Sequence, residues 1–417
     1  MSVSSQAATA QSSADRKAIY ASGETPPHQP AVLYILALGC FAIGTDGFMI
    51  AAILPAVARS LQVSVQAAGQ LVTVFALVYA LSSPLLTAVT SHWPRRRVLM
   101  LSLAVFSVAN FLAAATPSYM WLLGARVLLA MAAGLFVPNA NAAASSLVPV
   151  AQRGRALAIV SGGMTLSVAV GVPMGALIGA HFGWRATFVG VALLSNVALA
   201  VLAIRLPQDL HVPPLASLGA RLAVIATPGV LPTLATTTLW ATAAYTVYTY
   251  ISPFLIASTG VSAAQVGFVL TLLGVFAVGG VVIGGVANDR FGARRVHGVG
   301  LPVLAIAFAG LTLTAHFWSP HALAVELPLI AVWGLSAWSF FPPQQARLIG
   351  VAGAAHTPVA LSLNASFMYL GFSLGAAIGS VVISLLSVNW IGAAGAGFLV
   401  CGMVMSRFAW SRTQRPS

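Results

Sequence analysis

The chain has 417 residues, 59% of them hydrophobic and only 6% charged, and its mean hydropathy is +0.95. About a quarter of the residues of a soluble domain are charged, so this composition excludes a water-soluble fold and leaves a polytopic membrane protein. The net charge of +13 does not point to nucleic acid, because the arginines sit in short loops and form no basic stripe.

Residues 1–30 are rich in Ser, Ala, Gln and Pro and read as a disordered cytoplasmic tail, without the apolar h-region of a signal peptide. Twelve segments long enough to span a bilayer as helices follow, at 32–57, 67–90, 98–116, 119–147, 157–180, 186–204, 228–258, 264–287, 296–316, 322–342, 357–385 and 388–406. They fall into a six-helix bundle over 31–205, a cytoplasmic linker over 206–227 and a second bundle over 228–410. Residues 411–417 form a short cytoplasmic tail. The expected fold is therefore an all-α polytopic membrane protein of two six-helix pseudo-repeats.

Charge in the loops gives an orientation. Arg16, Lys17, Arg95, Arg96, Arg97, Arg153, Arg155, Arg205 and Arg221 all fall on one side. So do Arg290, Arg294, Arg295, Arg347, Arg407, Arg412 and Arg415, while the opposite loops hold only Arg59 and Arg185. Both termini are expected in the cytoplasm. The two halves also repeat: Leu54-Pro55 matches Ser252-Pro253 and Arg96-Arg97 matches Arg294-Arg295 at an offset of 198, and Gly171, Gly175 and Gly179 match Gly371, Gly375 and Gly379 at 200. Parallel six-helix repeats are an architecture of transporters.

Only six residues are acidic, and Asp46 alone lies near the middle of a long apolar segment. A carboxylate there costs a few kcal/mol unless it faces protein or water. Arg126 is the one arginine inside a span. Counting along helices that run in opposite directions puts the two within ~5 Å of the same depth, so a pair is expected, either coupling protons or simply locking two helices. In the second half, Asp46 maps to Ala244, whose helical face carries Thr237, Trp240 and Tyr248; Arg126 maps to Ile330, whose face carries Glu326, Phe341 and Gln344. These six are the candidate substrate-cavity residues, with a lipid-interface or packing role as the competing reading for Trp240 and Tyr248 and an interfacial carboxylate for Glu326. Pro173 among the fifth-span glycines permits a bend, and the stripe of Gly171, Gly175 and Gly179 permits close helix approach.

Cys40 and Cys401 both fall in apolar segments, and no CxxC or HExxH occurs, so neither a disulfide, a metal site nor a cofactor is expected. The eight histidines are scattered and no nucleophile–base pair is visible, which argues against an enzyme.

Several motifs carry a family resemblance. Gly285-x-x-x-Asp289-Arg290-x-Gly292-x-Arg294-Arg295 is similar to the signature loop of the major facilitator superfamily, and Arg95, Arg96 and Arg97 stand at the same place in the first half. There Ser91 replaces the loop aspartate and Pro94 the glycine. Arg126 with Gly134 resembles the fourth-helix motif, and Gly171-Val-Pro173-Met-Gly175 the fifth-helix antiporter motif. Together they resemble the twelve-helix drug–proton antiporter branch, which includes sugar-efflux and chloramphenicol-efflux proteins. That branch often has Gly-Thr-x-Glu-Phe in the first helix; here Gly47 stands at the glutamate position and the acid is one place earlier, at Asp46. The resemblance implies proton-coupled efflux of a small organic molecule by alternating access across a bacterial-type inner membrane, by a monomer. It also implies a latching role for the loop motif and proton coupling by the arginine. The alternative is a facilitator or proton symporter importing a sugar- or nucleoside-like solute.

Overall fold

The computed structural model describes residues 30–208, 217–319 and 322–413, and every regular element among them is helical. The expected tail over 1–29, Asp209, and residues 414–417 lie outside the described residues. The first half comprises α1 (Pro30–Ser60), α2 (Val65–Val89), α3 (Arg95–Ala114), α4 (Tyr119–Ser146), α5 (Arg153–Leu166), α6 (Val172–Phe182) and α7 (Trp184–Arg205). A short helix, α8 (Leu218–Ala226), lies in the linker. The second half comprises α9 (Val230–Tyr248), α10 (Ile251–Thr259), α11 (Ala263–Phe291), α12 (Ala293–Phe317), α13 (Leu323–Trp338), α14 (Phe341–Ala352), α15 (Thr357–Leu385) and α16 (Ile391–Thr413). Among the described residues eleven helical runs are long and apolar enough to cross a membrane; a twelfth is reached when α9 is counted with α8, which meets it at 94°.

Several boundaries differ from the sequence-based spans, and proline accounts for three of them. Pro173 cannot donate to the carbonyl four residues back, and the chain widens into a π turn at Ser167–Gly171 between α5 and α6. Pro253 breaks the seventh span between α9 and α10 in the same way. Pro342 and Pro343 split the tenth span, whose second piece, α14, runs ten residues beyond the expected end at 342. The last helix continues to Thr413, well past 406. The linker, expected as a plain polar link, contains α8.

The helix ends at the arginine-poor side are set by caps. The Ser64 and Ser118 side chains accept from the N–H groups of Ala67 and Trp121, and Ser262 with Gln265 forms a capping box. Gly183 and Gly292, with φ of 84° and 78°, make turns that residues with a Cβ rarely adopt.

The glycine stripes seat equivalent helix pairs. A Cβ at Gly171, Gly175 or Gly179 would press on Thr45, Met49 or Ile53 of α1, and one at Gly371 or Gly375 would press on the backbone of α9. The repeat is therefore physical: each half packs its first helix against a glycine face of its fifth.

The halves meet mainly from mid-depth to the arginine-poor end. Ser373 Oγ donates to the Thr73 carbonyl at 3.0 Å, Ser380 Oγ to that of Gln66 at 3.4 Å, and Tyr248 Oη to that of Phe48 at 3.1 Å. Gly267 and Gly274 of α11 take α6 and the π turn at close range. At the arginine-rich end α8 bridges the halves: Arg221 donates to Ser362 Oγ at 2.8 Å and to Thr87 Oγ1 at 3.1 Å.

Candidate functional site

Asp46 and Arg126 are both fully buried and form the only ion pair among the described residues, Arg126 Nη1 donating to Asp46 Oδ2 at 2.7 Å. Glycines make room for the acid: Gly44 lets Ser167 approach α1, and Gly47 faces the Phe75 ring. The guanidinium is held from two further directions. Its Nε donates to the Leu71 carbonyl at 3.4 Å, and its Cζ lies 4.2 Å over the Phe75 ring. Asp46 Oδ1 and Arg126 Nη2 make no hydrogen bond among the described residues. The pair is single-armed, with one acceptor and one donor unused, where a fully engaged Arg–carboxylate lock would be bidentate.

An aromatic cluster stands beside it. Tyr79 and Tyr369 stack across the two halves with centroids 3.6 Å apart, and Tyr245 stacks on Phe372 at 3.7 Å. Phe48, two residues from Asp46, meets Tyr248 edge-on at 6.1 Å and Tyr245 at 6.4 Å. Tyr245 and Tyr369 lie within electrostatic reach of Arg126. Of these residues only Tyr248 is among the sequence-based candidates. Tyr79, Tyr245, Tyr369 and Phe372 were missed because aromatic residues at helical spacing in an apolar span do not reveal whether they face lipid or the interior; the one usable signal was the position of Tyr245 beside Ala244, the counterpart of Asp46.

Thr237, Trp240, Phe341 and Gln344 come together in a second cluster. Gln344 Nε2 donates to Thr237 Oγ1 and to the Thr233 carbonyl, both at 2.7 Å, and Thr237 Oγ1 donates to Asn364 Oδ1 at 2.7 Å. Trp240 stacks on Phe340 at 4.7 Å and meets Phe341 edge-on at 4.9 Å. Glu326 is not part of it. It accepts from Ser258 Oγ at 3.1 Å, at the end of α10, and its other oxygen has no hydrogen bond. Except for the half-buried Phe341, these side chains are closed off from solvent in this conformation.

The loop motifs do separate work. Arg95 donates to Asn139 at 2.9 Å, and Arg96 donates to the carbonyls of Ala203 and Leu206, tying α3 to α4 and α7. Asp289, Arg290, Arg294 and Arg295 are exposed, and Asp289 takes part in no ion pair among the described residues. Gly171 and Gly175 line the α1 contact beside Asp46, and Pro173 between them is buried at the start of α6.

Comparison with known proteins accords with this geometry. The family model of the Major Facilitator Superfamily matches residues 36–363 and 235–417. The inner membrane transport protein YdhP of Escherichia coli K12 is 33% identical over 391 residues, covering 92% of this chain and 96% of that protein. A chloramphenicol resistance protein of Streptomyces lividans is 32% identical over 359 residues, covering 85% of this chain and 88% of that protein. Among solved structures, a bacterial homolog to the human lysosomal transporter Spinster, in its inward-facing and unoccupied conformation, superposes with a TM-score of 0.78. Its identity is 18%, with 94% of this chain and 99% of that chain covered, so it speaks to the fold.

Proposed function

Because this chain belongs to the major facilitator superfamily and is a multi-pass membrane transporter, we propose that it exports a small organic molecule in exchange for protons, by alternating access between its two halves. The observation that carries the proposal is the single-armed Asp46–Arg126 pair: a buried carboxylate held by one hydrogen bond keeps an oxygen free to take a proton, and once neutral it releases its hold on the arginine. The efflux direction draws support from the similarity to a chloramphenicol resistance protein. Tyr248, Trp240, Thr237, Phe341 and Gln344 contribute aromatic and hydrogen-bonding surface to the path that opens when the halves part. Glu326, apart from them, lies near the outer gate. With the arginine-rich end in the cytoplasm, the observed contacts close the outer side.

One proton moving down ~100 mV and one pH unit supplies about 3.7 kcal/mol, enough for a gradient of a few hundred-fold. The test uses purified protein in proteoliposomes with an imposed pH difference and a panel of labelled antibiotics, sugars and nucleosides. Antiport predicts that at least one compound accumulates on the more acidic side and that the gradient collapses with a protonophore. Accumulation on the alkaline side would establish symport instead, and accumulation that ignores the pH difference would remove proton coupling.

A further inference from the structure

Arg347 stands near the start of the loop expected after the tenth span, yet α14 carries it inward until the residue is only 5% exposed. None of its three guanidinium nitrogens has a hydrogen-bond partner among the described residues. Its Cζ lies 4.1 Å over the Trp410 ring, a contact that offsets only part of the cost of removing a cation from water. A fixed, buried, unsatisfied cation calls for an anion.

A cavity of about 340 Å³ lies between α12 and α16, and the Trp410 ring under Arg347 forms part of its wall. Arg294, His297, Ser406, Arg407 and Trp410 line it, with no acidic residue among its lining. His297 is buried, its Nδ1 makes no hydrogen bond, and it lies within electrostatic reach of Arg347. Trp410 therefore belongs both to the cavity wall and to the Arg347 stack. Leu301, Pro302 and Met403 also line it, and Val299, Val404 and Phe408, each next in the chain to a lining residue, are 65%, 64% and 44% exposed, so its surroundings are apolar.

We propose that this cavity seats the phosphate of an anionic phospholipid headgroup. Arg294 and Arg407 meet the headgroup at the surface and Arg347 supplies the deeper charge. The apolar surroundings select the source: a lipid lays its acyl chains along Val299, Val404 and Phe408, whereas a free phosphate ion gains nothing there. The site lies between the ninth and twelfth spans of the repeat. The corresponding place in the first half, between α3 and α7, also holds a cavity with Arg97, His92 and Trp93 on its wall, but among the described residues no unpartnered buried cation adjoins it. The seat is thus a feature of the second half.

The test is native mass spectrometry of the full chain released from nanodiscs of phosphatidylcholine and phosphatidylglycerol in equal amounts. The wild type should retain phosphatidylglycerol in preference to phosphatidylcholine. Arg347→Gln and Arg407→Gln should each lower that preference roughly fivefold, and Arg153→Gln, on an exposed arginine far along the chain from the cavity, should not. If Arg347→Gln fails to fold, the exposed Arg407 variant decides alone. No preference in the wild type, or an undiminished preference in Arg407→Gln, overturns the proposal. Millimolar inorganic phosphate that abolishes the preference would show a site for free anions and overturn the lipid assignment.

Discussion

Asp46 Oδ2 takes the bond from Arg126 while Oδ1 takes none, and the side chain is closed off from solvent on all sides. Asparagine at this position keeps the shape, cannot ionise and cannot release a proton. Asp46→Asn is therefore expected to abolish accumulation driven by a pH difference in proteoliposomes while exchange of a neutral substrate down its own gradient continues. A variant that still accumulates substrate would remove Asp46 from the coupling step. The substitution also leaves the Arg126 charge unpaired, a loss of about 3–5 kcal/mol for a buried pair broken on one side, so its thermal midpoint should fall as well. A second prediction concerns Trp240, which stacks on Phe340 and abuts Phe341. Trp240→Ala removes a large apolar face and should weaken binding of the better substrates by roughly 1–3 kcal/mol while changing their rank order. Equal losses for every substrate would identify it as packing.

Whole elements were easier to read than their breaks. The glycines at 171, 175 and 179 and their counterparts at 371, 375 and 379 marked a close contact in each half, but nothing in the spacing named the partner helix. Structure shows that the two stripes differ in what they meet. A Cβ at Gly375 would overlap the Thr242 carbonyl and come within 2.9 Å of Thr246 N, both backbone; a Cβ at Gly175 would meet no backbone atom at close range, only Met49 Cβ at 3.1 Å and its sulfur at 3.3 Å, a contact that a shift of a few tenths of an ångström relieves. Gly375→Ala should therefore force helices apart and destabilise by about 1–3 kcal/mol, whereas Gly175→Ala should be absorbed by a Met49 shift at well under that cost. Thermal unfolding in detergent compares the two directly, and equal midpoints would refute the distinction. Prolines explain the elements that were misjudged: Pro173, Pro253 and the Pro342-Pro343 pair each remove an N–H where the apolar pattern alone reads as one unbroken helix. Arg347 was misjudged for the opposite reason: the expected span stops at 342, and continuing the chain as α14 turns a loop charge into a buried one.

On the scale of the whole molecule, apolar run length and the internal repeat were enough to give the bundle of two halves. The depth of Asp46 and Arg126 followed from helical rise alone, because two residues far apart in sequence had to satisfy each other in hydrocarbon. The closed faces could not be read, because contacts such as Tyr79–Tyr369 and Ser373–Thr73 depend on how one half tilts against the other. That tilt and the assignment of sides can be tested together in a background lacking Cys40 and Cys401. Ser118→Cys and Ala263→Cys, at the arginine-poor end, should react with an impermeant thiol reagent added outside intact cells; Pro94→Cys and Gln152→Cys should react only after the membrane is opened. A reversed pattern would invert the orientation and with it the direction of export. In the same background, Gln66→Cys with Ser380→Cys places two thiols where α2 meets α15 near that end, at a site where the native side chain and backbone lie 3.4 Å apart. Oxidation should join them and hold the halves together there. Alternating access then requires that transport stop on cross-linking and return on reduction, while reagent access at Pro94→Cys persists. Transport that continues through the cross-link would mean that the two halves need not separate at this end.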